Sequence, residues 1–358
     1  MQTKVNENTF DGQSIYVGID THLKSWKVTV MAGDIHYKTF SSPPKSEGLV
    51  NFLKANFPGA RYYSAYEAGF AGFWLHRELT KLGINSIVVN PADIPTTDKE
   101  RKQKEDRRDS RKIAKTLQAG QLNGIFIPSE RVQQDRNLLR TRDSVLKDLS
   151  RNKCRIKALL HFQGVHIPER FVANSNWSNA FIQWLRELGF EHRTGRSALD
   201  ALLAMVVHQR SLLLNITRQI RELSKTSAYH LNVDLLISVP GIGLLTAMKL
   251  LTELESIERF KTFSQFCSYV GLVPSTSSSG ENEVTSGITP RRNLRLRTAL
   301  VESSWIAIRN DPALLSSYQK LCKRMPGNRA IIRIARKLLN RIVHVLRLKE
   351  KYESGVIK

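Results

Sequence analysis

The chain has 358 residues, 41% of them hydrophobic, with a formal net charge of +23 and a pI near 10.1. That length and apolar content hold two or three domains with real cores and exclude a disordered chain. The charge makes a polyanion the default partner, with nucleic acid favoured over membrane, since no apolar run reaches the roughly 20 residues of a spanning helix. Cys154, Cys267 and Cys322 lie far apart, an odd and sparse set that forms neither a disulfide framework nor a zinc site. Met1 to Gln13 is polar, lacks an apolar signal core and reads as a flexible tail. A reduced, cytoplasmic protein is expected.

The first ordered stretch, Ser14 to Asp20, reads as a buried strand ending on an acid. Trp26 to Val30 and Ile35 to Phe40 alternate apolar and polar residues as half-exposed strands do, and the three together predict an antiparallel meander. Glu47 to Phe57 has helical spacing and stops at Pro58-Gly59. A fourth strand, Tyr62 to Tyr66, again runs into an acid, Glu67. Phe73 to Leu82 is predicted helical and Ile84 to Val89 a fifth strand. A basic helix follows, reaching about Gly120. The order predicts an α/β domain with a mixed sheet over residues 14–128.

Residues 129–230 change character, with Leu, Arg and Lys dominant. Val132 to Phe162 and Ala198 to Leu223 read as long amphipathic helices, with a shorter one from Trp177 to Leu188. Their basic outer faces predict a coiled-coil arm or an ordinary helical linker. From residue 231 the chain is mainly helical. Leu235 to Leu254 carries the turn Pro240-Gly241-Ile242-Gly243 between two helices, a helix–hairpin–helix pattern. Gly241 and Gly243 would let the backbone approach a phosphate at a helix N-terminus, or would simply make a tight interhelical turn. After a short helix, Phe263 to Val270, a serine-rich loop from Gly271 to Gly280 leads into Ile288 to Arg297, where Arg291, Arg292, Arg295 and Arg297 fall within seven residues. The loop reads either as a flexible polar segment or as a nucleophilic serine beside cations. Leu300 to Lys351 is predicted helical and basic, with Arg324, Arg329, Arg333, Arg336, Lys337, Arg341 and Arg347 placed to reach phosphates.

The acids sit in an unusual setting. Asp106 and Asp109 share one helix face, beside Arg107 and Arg108, in a segment from Lys99 to Lys115 with nine Lys or Arg residues. Either this is a solvated helix laced with salt bridges, or the acids hold divalent cations where a phosphate backbone arrives. A central sheet would bring Asp20 and Glu67 toward them, and four such carboxylates can hold two Mg²⁺ ions about 4 Å apart.

Several motifs taken together resemble the DEDD-type insertion-sequence transposases, whose elements are mobilised with a bridge RNA. The carriers are YVGIDTHLKSWKVTV, YEAGFAGFWLHRELTKLG, VVNPADI, KEDRRDSRKIAKTL, SVPGIGLLTAMKLLTEL, YVGLVPSTSSSGENEVTSGIT and RRNLRLRTALVESSW, in order, from about residue 14 to about residue 345. The resemblance implies an RNase H-like N-terminal domain similar to Holliday-junction resolvases. Its catalytic and metal-binding acids would be Asp20, Glu67, Asp106 and Asp109, with Mg²⁺ as cofactor. It also implies a C-terminal transposase domain, residues 231–358, that supplies a serine for covalent attack on DNA. The matching step here is Ser278-Ser279-Gly280, so Ser278 is the expected nucleophile and Ser279 the alternative, with Ser277 beside them. Two departures stand out: Glu281 and Asn282 replace a common Gly and Lys, and Ser110 replaces a common alanine beside Asp109.

The resemblance further implies donor and target DNA as substrates, a structured non-coding guide RNA, and dimers that pair into tetramers, with the acids and the serine of one site coming from different subunits. Work near the bacterial or archaeal nucleoid is expected. Nucleic-acid contacts are expected at Arg107, Arg108, Gly241, Gly243, Arg291, Arg292, Arg295, Arg333, Arg336 and Lys337. Two other readings stay open: a metal-dependent junction endonuclease with no covalent step, and a non-catalytic nucleic-acid-binding protein.

Overall fold

The computed structural model describes residues 10–95, 106–172, 177–279 and 282–354; the side chains of 106, 107, 276–279 and 282–286 lie outside that description. The chain divides into two compact units after Ile127.

The first unit is built on a five-stranded sheet in the order β3-β2-β1-β4-β5. Its strands are β1 (Ser14–Thr21), β2 (Trp26–Ala32), β3 (Ile35–Ser42), β4 (Arg61–Glu67) and β5 (Asn85–Val89). The first three form the expected antiparallel meander, whereas β4 and β5 add in parallel, so the sheet is mixed. Strand alternation assigns the faces. Ile15, Val17 and Ile19 point to one side, where α1 (Ser46–Asn56) and α2 (Trp74–Lys81) cover them with Leu49, Leu53, Leu75 and Leu79, all fully buried. Tyr16, Gly18 and Asp20 point to the other, where α3 (Asp106–Gln118) lies.

The tail is shorter than expected. Phe10 packs edge-on against Phe57, its N–H bonds to Pro58 O at 2.8 Å, and Gln13 O accepts from Arg61 N–H. One aromatic ring suffices to dock residues 10–13 on the sheet unit. The rest of the expected tail lies outside the described residues.

Among its described residues the second unit is helical apart from one hairpin. The helices α4 (Glu130–Phe162) and α6 (Arg193–Ser224) run antiparallel, since Arg142 meets Thr217 while Asn152 meets Gln209. Ser129 caps α4 through Val132 N–H. The far end of the pair is closed by α5 (Asn179–Glu187), whose Phe181 is fully buried among Leu160, Phe171, Leu199 and Leu203. By length and composition α6 also passes as a membrane-crossing helix, with a hydropathy of 1.2; it is packed along α4.

The remaining helices are α7 (His230–Ile237), α8 (Leu244–Leu254), α9 (Phe263–Val270), α10 (Leu294–Asn310), α11 (Pro312–Cys322) and α12 (Gly327–Leu348). They share one core with the root of the arm. The C-terminal stretch, expected to be helical, is three helices. Asp311 caps α11 and Pro312 starts it, and Pro326 precedes α12.

The serine-rich stretch is not a loop. Its segment Pro274–Ser279 forms β6, paired antiparallel with β7 (Asn282–Ile288), which places Ser277 opposite Val284, Ser278 opposite Glu283 and Ser279 opposite Asn282. Serine has no strong strand preference of its own; the ladder with the partner strand overrides composition.

Candidate functional site

Three elements carry the acids to one edge of the sheet. β1 and β4 are parallel neighbours, with Ile19 paired to Tyr66, so Asp20 and Glu67 are the next residues on adjacent strands. Both share the face of Gly18 and Ala65, the face under α3. The helix runs antiparallel to β1. Its last residue, Gln118, bonds Asp34 in the β2–β3 turn, at the sheet edge where β1 begins, while Ser110 lies over Gly18. The Asp106 end of α3 therefore lies at the edge where β1 and β4 finish. Ile113, one turn after Asp109, is buried with Ala65, Val89 and Leu122 and fixes the roll of the helix.

Gly18 allows this packing. A Cβ there would stand 2.1 Å from Ser110 O and 2.4 Å from Ala114 N. The departure at Ser110 is accommodated: its hydroxyl meets Thr29 Oγ1 at 2.9 Å in a buried bond, and Thr29 in turn meets Thr39. His22 Nε2 lies 3.1 Å from one Asp20 oxygen. Tyr66 shapes the chain after Glu67: its hydroxyl donates to Gly72 O and accepts from His76 N–H, and burial pushes its pKa up to about 12.

Asp20, Glu67 and Asp109 offer only carboxylate oxygens, a donor set suited to hard divalent cations such as Mg²⁺ or Mn²⁺. Among the described residues no three His, Cys, Asp or Glu side chains converge as a ligand cluster; the Asp106 side chain is not among those described. Arg108 is exposed on the same helix, and the Arg107 side chain lies outside the described residues.

In the second unit, Gly241 is explained by packing. It has φ +86°, and a Cβ there would meet Ser303 O of α10 at 2.3 Å. The tight interhelical turn, the other reading of this glycine, accounts for its backbone conformation. Gly243 differs: it caps α8, is exposed, and has open space where a Cβ would stand. The amphipathic helix α12 buries Ile331, Ile334, Leu338 and Ile342 and exposes Arg329, Arg333, Arg336 and Lys337. Arg336 lies over the Phe263 ring and Lys337 donates to Ser317. Arg341 is half-buried and Arg347 exposed, and both make bonds within the unit. Arg341 bonds the Tyr352 hydroxyl and lies 3.4 Å from buried Asp311, while Arg347 donates to Phe260 O.

The hairpin is held at its roots. Asn293 N–H bonds Tyr269 O at 2.9 Å and Thr289 N–H bonds Val273 O at 3.1 Å. Arg297 donates to both Gly271 O and Thr289 O. Arg292 presses its Cβ against Gly271 and donates to Pro290 O, and Arg295 lies 3.9 Å from Asp143.

Behind these roots sits a residue that sequence reasoning missed. Glu253, near the end of α8, is only 2% exposed. Arg140 of α4 grips both its oxygens at 2.9 Å, Arg136 Nε is 3.9 Å away, and Asn293 Nδ2 donates at 3.2 Å. Burial alone would raise this carboxyl's pKa; the bonds and charge of Arg140, the charge of Arg136 and the Asn293 bond outweigh it and hold it below the ordinary value. Two residues on, Glu255 has φ +61° and accepts from Ser129 N–H at the start of α4. The sequence signal was slight, one acid in a mostly apolar helix.

A mixed sheet with acids at one strand edge, joined to a basic helical unit, defines a nucleic-acid-processing protein of RNase H-like design. Comparisons with known proteins place it further. A DEDD transposase family of the IS110 type matches residues 17–163, and the family described as "Transposase IS116/IS110/IS902 family" matches residues 233–319. "Putative transposase y4qE" of Sinorhizobium fredii is 32% identical over 301 residues, 82% of this chain and 72% of that protein. "Transposase for insertion sequence element IS1533" of Leptospira borgpetersenii is 26% identical over 82% of this chain and 85% of its own length. "Transposase for insertion sequence element IS1111A" of Coxiella burnetii is 27% identical over 80% of this chain and 78% of its own length. The chain belongs to the IS110-type DEDD insertion-sequence transposases, and its activity is that of a DNA transposase.

Proposed function

We propose that this transposase cuts and rejoins DNA through a serine–phosphate intermediate, assisted by Mg²⁺ at Asp20, Glu67, Asp106 and Asp109. The observation that carries the metal reading is the shared edge: Asp20 and Glu67 finish adjacent parallel strands, and α3 directs its Asp106 end to the same edge. When bound, a divalent cation supplies Lewis-acid stabilisation of charge on phosphate oxygens. The carboxylates hold that charge where a DNA backbone arrives, and the surrounding Arg and Lys side chains offset their repulsion of phosphate.

Ser278, on β6, is the proposed nucleophile and Ser279 the alternative. Its Oγ forms a bond to phosphorus, and its proton passes to solvent base. The P–O3′ bond breaks, and the 3′ oxygen leaves as a hydroxyl after taking up a proton. The phosphodiester energy is kept in the serine ester, so a second 3′ hydroxyl can reverse the step and join a new strand. Arg291 and Arg292, just after β7, are placed by sequence to hold the phosphate. Arg333, Arg336 and Lys337 bind backbone phosphates along α12, and the open turn at Gly243 presents α8 N–H groups.

A structured non-coding RNA guides target choice, and dimers pair into tetramers in which the acids and the serine of one site come from different subunits. The protein works in the cytoplasm, at the nucleoid. The test is capture of a denaturant-resistant protein–DNA adduct. Ser278→Ala abolishes it while DNA binding survives, and excess chelator stops strand transfer. Free 5′-phosphate ends with no adduct, indifferent to serine substitution, would instead establish a hydrolytic endonuclease. Sequencing RNA that copurifies with the protein tests the guide; a random RNA population would remove it from the reading.

A further inference from the structure

The strands of the serine hairpin are polar in sequence. Its strands read PSTSSS and NEVTSGI, and an isolated two-stranded hairpin is marginal in water. A ladder with so few apolar residues depends on its roots for direction. Both roots converge on Glu253. Tyr269, on the entering side, donates its hydroxyl to Glu253 O at 3.3 Å. Asn293, on the leaving side, donates to the Glu253 carboxylate and, at 3.3 Å, to the Tyr269 hydroxyl. The same carboxylate is gripped by Arg140 and approached by Arg136 from the long helix of the arm, and Arg136 also donates to Thr252 O at 2.9 Å.

Stability alone does not call for such a cluster. A buried ion pair can usually be replaced by apolar side chains of similar volume at no loss. What a fully bonded polar cluster supplies, and a greasy contact does not, is one geometry. We infer that Glu253 is a positioning residue: it sets the aim of the serine strands and couples that aim to the arm, through Asn293 on one side and Arg140 on the other. The inference rests on the serine reading above.

Asn293 gives the cleanest test, since it faces the hairpin and leaves the Glu253–Arg140 pair intact. It also caps α10 by accepting from Leu296 N–H. Asn293→Ser keeps that cap but is too short to reach Glu253 and Tyr269. Its single-turnover strand cleavage at saturating protein falls about 100-fold, as for an ångström-scale misplacement, while its DNA Kd and Tm match wild type. A structural role alone would move Tm and binding with the rate. Asn293→Asp sets two carboxylates together and stops cleavage.

Wild-type cleavage by Asn293→Ser overturns the inference, as does cleavage by Asn293→Asp at the wild-type rate. The serine reading is scored separately, on the Ser278→Ala and Ser279→Ala adducts. If both substitutions together leave the adduct intact, that reading falls and takes this inference with it, whatever the Asn293 variants do.

Discussion

Gly18→Ala tests how closely the acidic helix must lie on the sheet. The added methyl meets backbone atoms of α3, with Ser110 O at 2.1 Å and Ala114 N at 2.4 Å, and neither can swing aside as a side-chain tip would. Ordinary packing distances begin at 3.4 Å, so the helix must withdraw by about 1.3 Å or the strand must bend, at a cost of about 1–3 kcal/mol for overpacking. In a unit of this size each kcal/mol lowers Tm by roughly 4–8 °C. The withdrawal also carries Asp106 and Asp109 away from Asp20 and Glu67, which lowers the single-turnover cleavage rate about 100-fold. Calorimetry of the pure protein and a labelled-strand cleavage assay read the two effects. Gly48→Ala is the control: it is exposed in the first turn of α1 with open space around it, and it stabilises by up to about 0.5–1 kcal/mol. A Gly18→Ala protein with wild-type Tm and cleavage would refute the close packing and the placement of the acids derived from it.

Glu253→Gln strips the counter-charge from buried Arg136 and partly exposed Arg140, and because solvent screens the Arg140 pair it destabilises the second unit by about 2–3 kcal/mol at neutral pH, measured by urea unfolding. The wild-type carboxyl titrates below its ordinary value when folded, so its contribution is complete above the ordinary carboxyl pKa and is lost as pH falls through the depressed one. The Gln variant has no such acid limb, and an unchanged limb would contradict the assignment. Arg333→Ala with Lys337→Ala weakens DNA binding evenly across sequences and reduces the slope of log K against log salt by about 0.9 for each phosphate no longer neutralised. An unchanged slope would place the DNA elsewhere.

The sheet unit was legible because each of its strands announces itself. Ile15, Val17 and Ile19 alternate toward one face, and Pro58-Gly59 and Gly83 punctuate the helices where the structure ends them. The strand-end acids followed from the same pattern. The serine hairpin was not legible, because PSTSSS lacks strand-forming residues and its pairing depends on a second strand nearly as polar as itself. Glu253 was hidden for a different reason. A single acid in LLTEL resembles a surface residue, and its arginine partners lie 113 and 117 positions earlier. Gly241 and Arg341 show the same limit: residue type gave chemistry, but only packing revealed their contacts with α10 and Asp311.

The antiparallel pair of α4 and α6 behaves as a ruler. With 33 residues in one helix it spans about 50 Å. Its seam is keyed by polar matches, Asn152 with Gln209 and Arg142 with Thr217, so sliding the helices past each other would bury unmatched amides and guanidiniums. The span is therefore set once, when the chain folds. Inserting one residue would turn every later side chain by about 100° and scramble the seam, whereas about seven residues added to both helices would lengthen it and keep its faces aligned. Any distance this arm imposes on what it holds can change only in such steps.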